Sequence, residues 1–134
     1  MEDLWNIVPT DPPVSTCEIT GQELWDMIEE NLENTFSSDP YGQMGGYVKR
    51  SYGINVYFKV ENPSDHRIQE FFVGEERLDR DKTYEASFIT TQGIPARYGR
   101  NRKDLDIKAV EALKRYLKKN GPVRPRLEGT FVPI

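Results

Sequence analysis

The chain has 134 residues, 37% of them hydrophobic and 30% charged, with 22 acidic against 18 basic side chains and a net charge of −4. That length can bury a core without staples, and the acidic balance gives no reason to expect a nucleic-acid partner. One cysteine excludes an internal disulfide, and no apolar run approaches the ~20 residues of a membrane span.

In chain order, "MEDLWNIVPTDPP" reads as a short apolar segment halted by Pro9, Pro12 and Pro13, and "VSTCEI" as a short β-branched strand. "TGQELWDMIEENLENTF" opens with Thr20 and Glu23, the T-x-x-E pattern of a capping box. Leu24, Ile28 and Leu32 then recur every four residues, with Trp25, Met27 and Phe36 widening the stripe. This spacing predicts a helix from Thr20 to about Phe36. "SSDPYGQMGG" is a Gly-rich loop. "INVYFKV", "RIQEFFV" and "KTYEASFITT" read as three strands of a meander, each joined to the next by a turn. The polar "RNRKDLD" then leads into a second helix, from Asp106 to about Asn120. Asp104 or Asp106 is its candidate cap, Ile107, Val110, Leu113 and Leu117 its stripe, and Asn120-Gly121-Pro122 its stop. "RPRLEGTFVPI" closes the chain as an extended strand. The expected fold is one α+β domain over residues 1–134, a mainly antiparallel or mixed sheet flanked by two substantial helices.

Chemistry-bearing residues are sparse. His66 lies on a turn beside Asp65, and Cys17 has no neighbouring Cys or His in the sequence to share a metal with. The carboxylate pairs Glu29 and Glu30, Asp79 and Asp81, and Asp104 and Asp106 read as caps or solvated charge. Gly45-Gly46 lacks the surroundings of a phosphate loop. Arg97, Arg100, Arg102 and Lys103 cluster before the second helix, either as a solvated face or as an anion-recognition corner. The residues themselves therefore name no catalytic group and no metal ligand.

Several motifs taken together resemble the carboxy-terminal domain of the 5′-nucleotidase family. "TGQELWDMIEENLENTF" is similar to that family's "TGxxLxxxLE" helix, and "DLWNIVP" to its "DLYNVLPF". The run from Gly53 and Ile54 through Pro63, Arg67, Ile68, Gly74, Leu78, Lys82, Thr83 and Tyr84 keeps the family's order and spacing. "DPYGQMGG" resembles the "DPYYQQGGD" stretch of the sulfur-oxidising thiosulfohydrolase branch.

The resemblance implies a division of labour. An amino-terminal metallophosphatase domain, absent from these residues, carries a divalent metal pair and the catalytic side chains, in a parent that is periplasmic, cell-surface or secreted. The carboxy-terminal domain grips a nucleotide or nucleoside-like small molecule between two aromatic rings, with arginines on the phosphates. "TTQGIPARYG" stands where the family carries "GGDGY". It keeps Gly93 and offers Tyr98 as a ring, but gains Pro95 and Arg97. Tyr47 is the nearest aromatic on the other side, one residue out of register. The candidate substrate-binding set is Tyr47, Gly93 and Tyr98 from the resemblance, with Arg97 and Arg100 from the cation cluster, and no cofactor or catalytic residue is expected in this chain. Tyr47 and Tyr98 are then expected to face each other across a cleft, with Arg97 or Arg100 at its rim; the alternative is ordinary packing of amphipathic rings at a sheet edge. The implied function is substrate recognition for a metallophosphoesterase that hydrolyses nucleotide phosphate esters. The alternatives are a non-catalytic interaction module of the same fold and the carboxy-terminal domain of a thiosulfohydrolase-like enzyme.

Overall fold

The computed structural model describes residues 2–124, 126 and 129–134. The element order is α1 (Glu2–Ile7), β1 (Pro13–Thr20), α2 (Gly21–Phe36), β2 (Ile54–Phe58), β3 (Ile68–Val73), β4 (Glu76–Arg77), β5 (Thr83–Phe88), β6 (Arg100–Lys108), α3 (Ala109–Asn120) and β7 (Phe131–Pro133). The strands form two sheets, ordered β5-β1-β6 and β4-β3-β2-β7. The second is mixed, since β2 runs antiparallel to β3 and parallel to β7. This is the α+β class expected from the sequence, with its strands divided between two sheets. The chain also divides into two compact units, Met1–Ile19 with Glu85–Leu127 and Thr20–Tyr84 with Glu128–Ile134.

The second unit is built around α2. Thr20 Oγ1 accepts from the Glu23 amide at 3.1 Å, and the Glu23 carboxylate accepts from the Thr20 amide at 2.9 Å, so the expected capping box is complete. Leu24, Met27, Ile28 and Leu32 are buried along one face, as are Val56 and Phe58 of β2 and Ile68 and Phe71 of β3. Trp25 stacks on Phe71 at 6.2 Å between centroids and Phe36 on Phe58 at 5.8 Å. Full burial of such side chains stabilises by ~1.5–3 kcal/mol each.

Glu29 departs from the solvated reading. It is 2% exposed, and its carboxylate accepts from the backbone amides of Arg67 (3.2 Å) and Ile68 (2.7 Å), which fixes the start of β3 against the helix. Arg67 is also buried and donates to Glu33 Oε2 at 2.8 Å through Nη2, and to the Val60 carbonyl through Nη1. These bonds, with a further one from Ser37, hold the Glu33 carboxyl below its ordinary value of 4.5. A carboxylate with a depressed folded-state pKa stabilises the fold above its unfolded pKa and loses that contribution as pH falls. The stability gap between the wild type and Glu33→Gln is therefore expected to be full at pH 7 and to close progressively below about pH 4.5. Urea midpoints from pH 7 to pH 3 measure it, and a gap independent of pH would contradict the assignment.

The expected meander stops after two strands and a fragment. β4 is two residues long, and the turn that follows it donates no strand but two carbonyls. Those of Lys82 and Arg80 accept from the Gly21 amide at 2.9 Å and the Gln22 amide at 3.0 Å. The segment read as a third meander strand, now β5, joins the other sheet beside β1.

In the first unit, "RNRKDLD" is a strand and not the loop expected from its polarity. β6 pairs antiparallel with β1, matching Ser15 with Asp104 and Thr16 with Lys103. It is an edge strand whose charged residues, Arg102 excepted, stay exposed while Arg102 and Ile107 are half-buried, so its polarity reflects position in the sheet. Two register shifts interrupt the pairing, one of them next to Asn101, whose φ of 52° is left-handed. The second helix accordingly begins at Ala109, not Asp106, and neither proposed aspartate caps it. Asp104 accepts instead from Ser15 Oγ at 2.5 Å. Asp11 Oδ1 takes the Val110 amide at 2.9 Å and the Pro12 carbonyl takes that of Ala109 at 2.9 Å, a cap supplied from the start of the chain. Gly121, with φ 73°, ends α3 and donates to the Leu117 carbonyl at 2.8 Å, as its sequence suggested. The amino-terminal segment forms the short helix α1 before its prolines. The closing strand is β7, beside β2; Pro125, Leu127 and Glu128 of that segment lie outside the described residues.

Candidate functional site

The turn between β5 and β6 carries three of the five candidate binding residues, Gly93, Arg97 and Tyr98, and a fourth, Arg100, opens β6. It leaves β5 at Phe88 and folds back twice. The Gly93 amide donates to the Thr90 carbonyl at 2.9 Å and the Tyr98 amide to the Pro95 carbonyl at 3.0 Å. Pro95 is the first residue of the second turn, and Ala96 and Arg97 occupy its two central positions. Ile94 is buried and pins the middle of the excursion, whereas Gly93, Arg97 and Arg100 are exposed and Tyr98 is half-buried.

Gly99 closes the turn in a left-handed conformation, φ 73°, where a Cβ would come 2.9 Å from Cys17 Sγ and 3.1 Å from the Glu18 carbonyl. Only glycine meets both demands. Arg97 and Tyr98 are thus presented between a buried anchor and a fixed exit.

The structure brings Arg97 and Tyr98 together, with the guanidinium 5.0 Å from the ring centroid. A cation over a ring face covers that face and carries its charged fork alongside the ring. Arg100 lies where β6 starts and forms an exposed ion pair with Glu18 at 3.4 Å. Tyr47 belongs to the other compact unit. The residue is 69% exposed, and its backbone is tied to α2: Asn31 Nδ2 donates to the Tyr47 carbonyl at 3.3 Å and Asn31 Oδ1 accepts from the Lys49 amide at 2.8 Å.

Arg102 does not join an anion-binding corner. Its guanidinium sits 4.4 Å from the Phe88 ring centroid, and it donates to the carbonyls of Ile94 (2.7 Å), Pro95 (3.2 Å) and Tyr98 (2.9 Å). An open groove of about 370 Å³ adjoins it, lined by Phe88, Thr90, Thr91, Lys103 and Asp104 among others. Sequence reasoning counted Arg102 as one cation of four. The only hint of its different task was an aromatic, Phe88, on the strand before the loop.

No group of three His, Cys, Asp or Glu side chains that could hold a metal ion occurs among the described residues. His66 is exposed on its turn, and its carbonyl accepts from Asn62 at 2.8 Å. The described residues therefore offer no side-chain set that fits a metal pair. Among the described residues, no helix is long and apolar enough to cross a membrane.

Comparison with known proteins decides the family. The family described as 5′-nucleotidase, C-terminal domain, matches residues 1–92, more than half of the chain. The chain belongs to the 5′-nucleotidase C-terminal domain family. The match of this 5′-nucleotidase C-terminal domain ends at Gln92, within the turn between β5 and β6. Among solved structures, the domain resembles the sulfate thiohydrolase SoxB of Thermus thermophilus at 26% identity and a TM-score of 0.76, over 93% of this chain and 23% of that one. A 5′-nucleotidase precursor from Thermus thermophilus matches at 20% identity and a TM-score of 0.75, over 98% and 27%. The NAD nucleotidase of Haemophilus influenzae follows at 15% and 0.69, over 99% and 26%. This chain therefore spans about a quarter of the length of each. No curated protein sequence matches it.

Proposed function

We propose that residues 1–134 act as the substrate-recognition domain of a longer 5′-nucleotidase-like hydrolase, and that the β5–β6 turn grips a nucleotide. A metallophosphatase domain on the amino-terminal side would supply the metal pair and all bond-breaking chemistry. The observation that carries this reading is the Arg97 guanidinium over the Tyr98 ring on a turn anchored at Ile94 and Gly99. The ring suits a planar base, and the guanidinium fork suits phosphate oxygens. Arg100 and Gly93 belong to the same group of candidates, and Tyr47 is a candidate ring carried by the other unit.

Titration of the chain with AMP, followed through backbone amide shifts, tests the reading. Stacking on one ring contributes ~1–3 kcal/mol, so Tyr98→Ala is expected to weaken AMP binding about tenfold or more. Saturable shifts centred on residues 93–100 and reduced in that variant are the expected result. No shift at millimolar AMP would contradict nucleotide recognition and favour a non-catalytic interaction module.

A second reading has its own support. The 26% identity with SoxB over 93% of the chain, together with the "DPYGQMGG" segment, favours a thiosulfohydrolase-like parent acting on a sulfur compound. Under that reading, thiosulfate or an organic thiosulfonate, and not AMP, would shift the turn's amides.

A further inference from the structure

We infer that Arg102 is the positioning residue of the β5–β6 turn: it holds the Arg97–Tyr98 pair in its presented geometry through the turn's backbone carbonyls. The inference rests on the proposed role of that pair in binding. Three carbonyls, from Ile94, Pro95 and Tyr98, converge on the two terminal nitrogens of one guanidinium, at 2.7, 3.2 and 2.9 Å. Behind them the Phe88 ring lies 4.4 Å from the guanidinium carbon, so the fork is held on its face as well as at its edge. Only a planar group with several fixed N–H directions spans three carbonyls in this way; an ammonium is a point charge with no plane to stack. The arrangement also explains why a turn rich in polar backbone can stay ordered. The carbonyls that Pro95 and Tyr98 expose at the two ends of the second turn share one donor group, Nη1, carried by β6.

The consequence is preorganisation. A recognition loop that must be ordered when the ligand arrives loses affinity to that ordering, whereas one fixed beforehand does not. Arg102 fixes this loop from a strand whose register with β1 is set elsewhere, at Ser15–Asp104 and Thr16–Lys103. Its removal is therefore expected to affect the turn more than the fold.

The test compares the wild type with Arg102→Lys and with Phe88→Leu, which keeps the donors but removes the stacking ring. Amide hydrogen exchange at Tyr98, thermal midpoints and AMP titrations are the readouts. Exchange of the Tyr98 amide is expected to accelerate at least tenfold in Arg102→Lys, and less in Phe88→Leu, while exchange at Val56 in the other unit stays unchanged. Where the wild type binds AMP, Arg102→Lys is expected to raise Kd at least tenfold with the thermal midpoint within about 2 °C. Equal Tyr98 exchange in all three proteins overturns the inference, as does unchanged AMP affinity in Arg102→Lys. Accelerated exchange in a chain whose wild type binds no AMP supports the positioning role and counts against the nucleotide reading instead.

Discussion

Arg67→Ala is expected to cost about 3 kcal/mol of unfolding free energy, the low end of the range for breaking a buried ion pair, because the Glu33 side chain left behind is 30% exposed. Arg67 is 4% exposed, and its guanidinium serves three acceptors: Glu33 Oε2 at 2.8 Å, the Val60 carbonyl, and the Phe36 carbonyl at 3.5 Å. Truncation leaves the Glu33 carboxylate without its strongest donor and deprives two backbone carbonyls of a partner, beside a cavity the size of the lost side chain. The Glu29 bonds survive, because Glu29 accepts from backbone amides that the substitution does not remove. A double replacement, Arg67→Met with Glu33→Leu, is expected to cost much less than Arg67→Ala alone, since it exchanges the pair for packing instead of stranding one charge. Urea denaturation of the three variants measures this. Similar losses for the single and double variants would show that shape, not charge pairing, is what Arg67 contributes.

Gly21→Ala is expected to destabilise by about 3 kcal/mol, although alanine is the better helix former by ~1 kcal/mol. A Cβ at position 21 would lie 2.0 Å from the Asp79 carbonyl oxygen and 2.8 Å from Arg80 Cα. Both are backbone atoms, so no rotamer change relieves the clash. The turn at residues 79–82 would have to withdraw, and it is this turn that satisfies the Gly21 and Gln22 amides at the start of α2. The family's "TG" pair thus has a physical reading: the threonine caps the helix and the glycine lets a neighbouring turn press against its first residue. Gln22→Ala, one position on, is expected to be within about 0.5 kcal/mol of the wild type. A stabilised Gly21→Ala variant, judged by its urea midpoint, would show that the turn does not bear on the helix in this way.

What was legible in the sequence was local. The Thr20–Glu23 box, the four-residue stripe of α2 and the glycine stop of α3 are set by residues within one or two turns of each other, so pattern alone recovers them. The cap of α3 was not, because Asp11 stands 99 residues from the amide it accepts. Nor was the burial of Glu29, whose partners sit 38 and 39 residues away. β6 was missed for another reason: an edge strand needs few apolar residues, and its charges imitate a loop. The assignment of β5 to the sheet of β1 and β6 is likewise invisible in its own alternation, which suits either sheet.

The candidate site divides along the same line. Arg97 and Tyr98 were marked by a family likeness that locates the turn, and the structure then places the cation over the ring. The role of Arg102 depends on three carbonyls meeting in space, and no spacing rule encodes that convergence. Tyr47 could be located on its loop from sequence, but not its tether, since Asn31 lies on the polar side of α2 and reads there as ordinary surface.

The central claim, that the β5–β6 turn recognises a nucleotide through Tyr98, is tested most directly by intermolecular NOE spectroscopy on the chain with AMP. The account predicts NOEs from the purine H8 and H2 protons to the Tyr98 ring protons, absent in Tyr98→Ala. Purine NOEs confined to other tyrosines, or none to Tyr98 at saturating AMP, would contradict it.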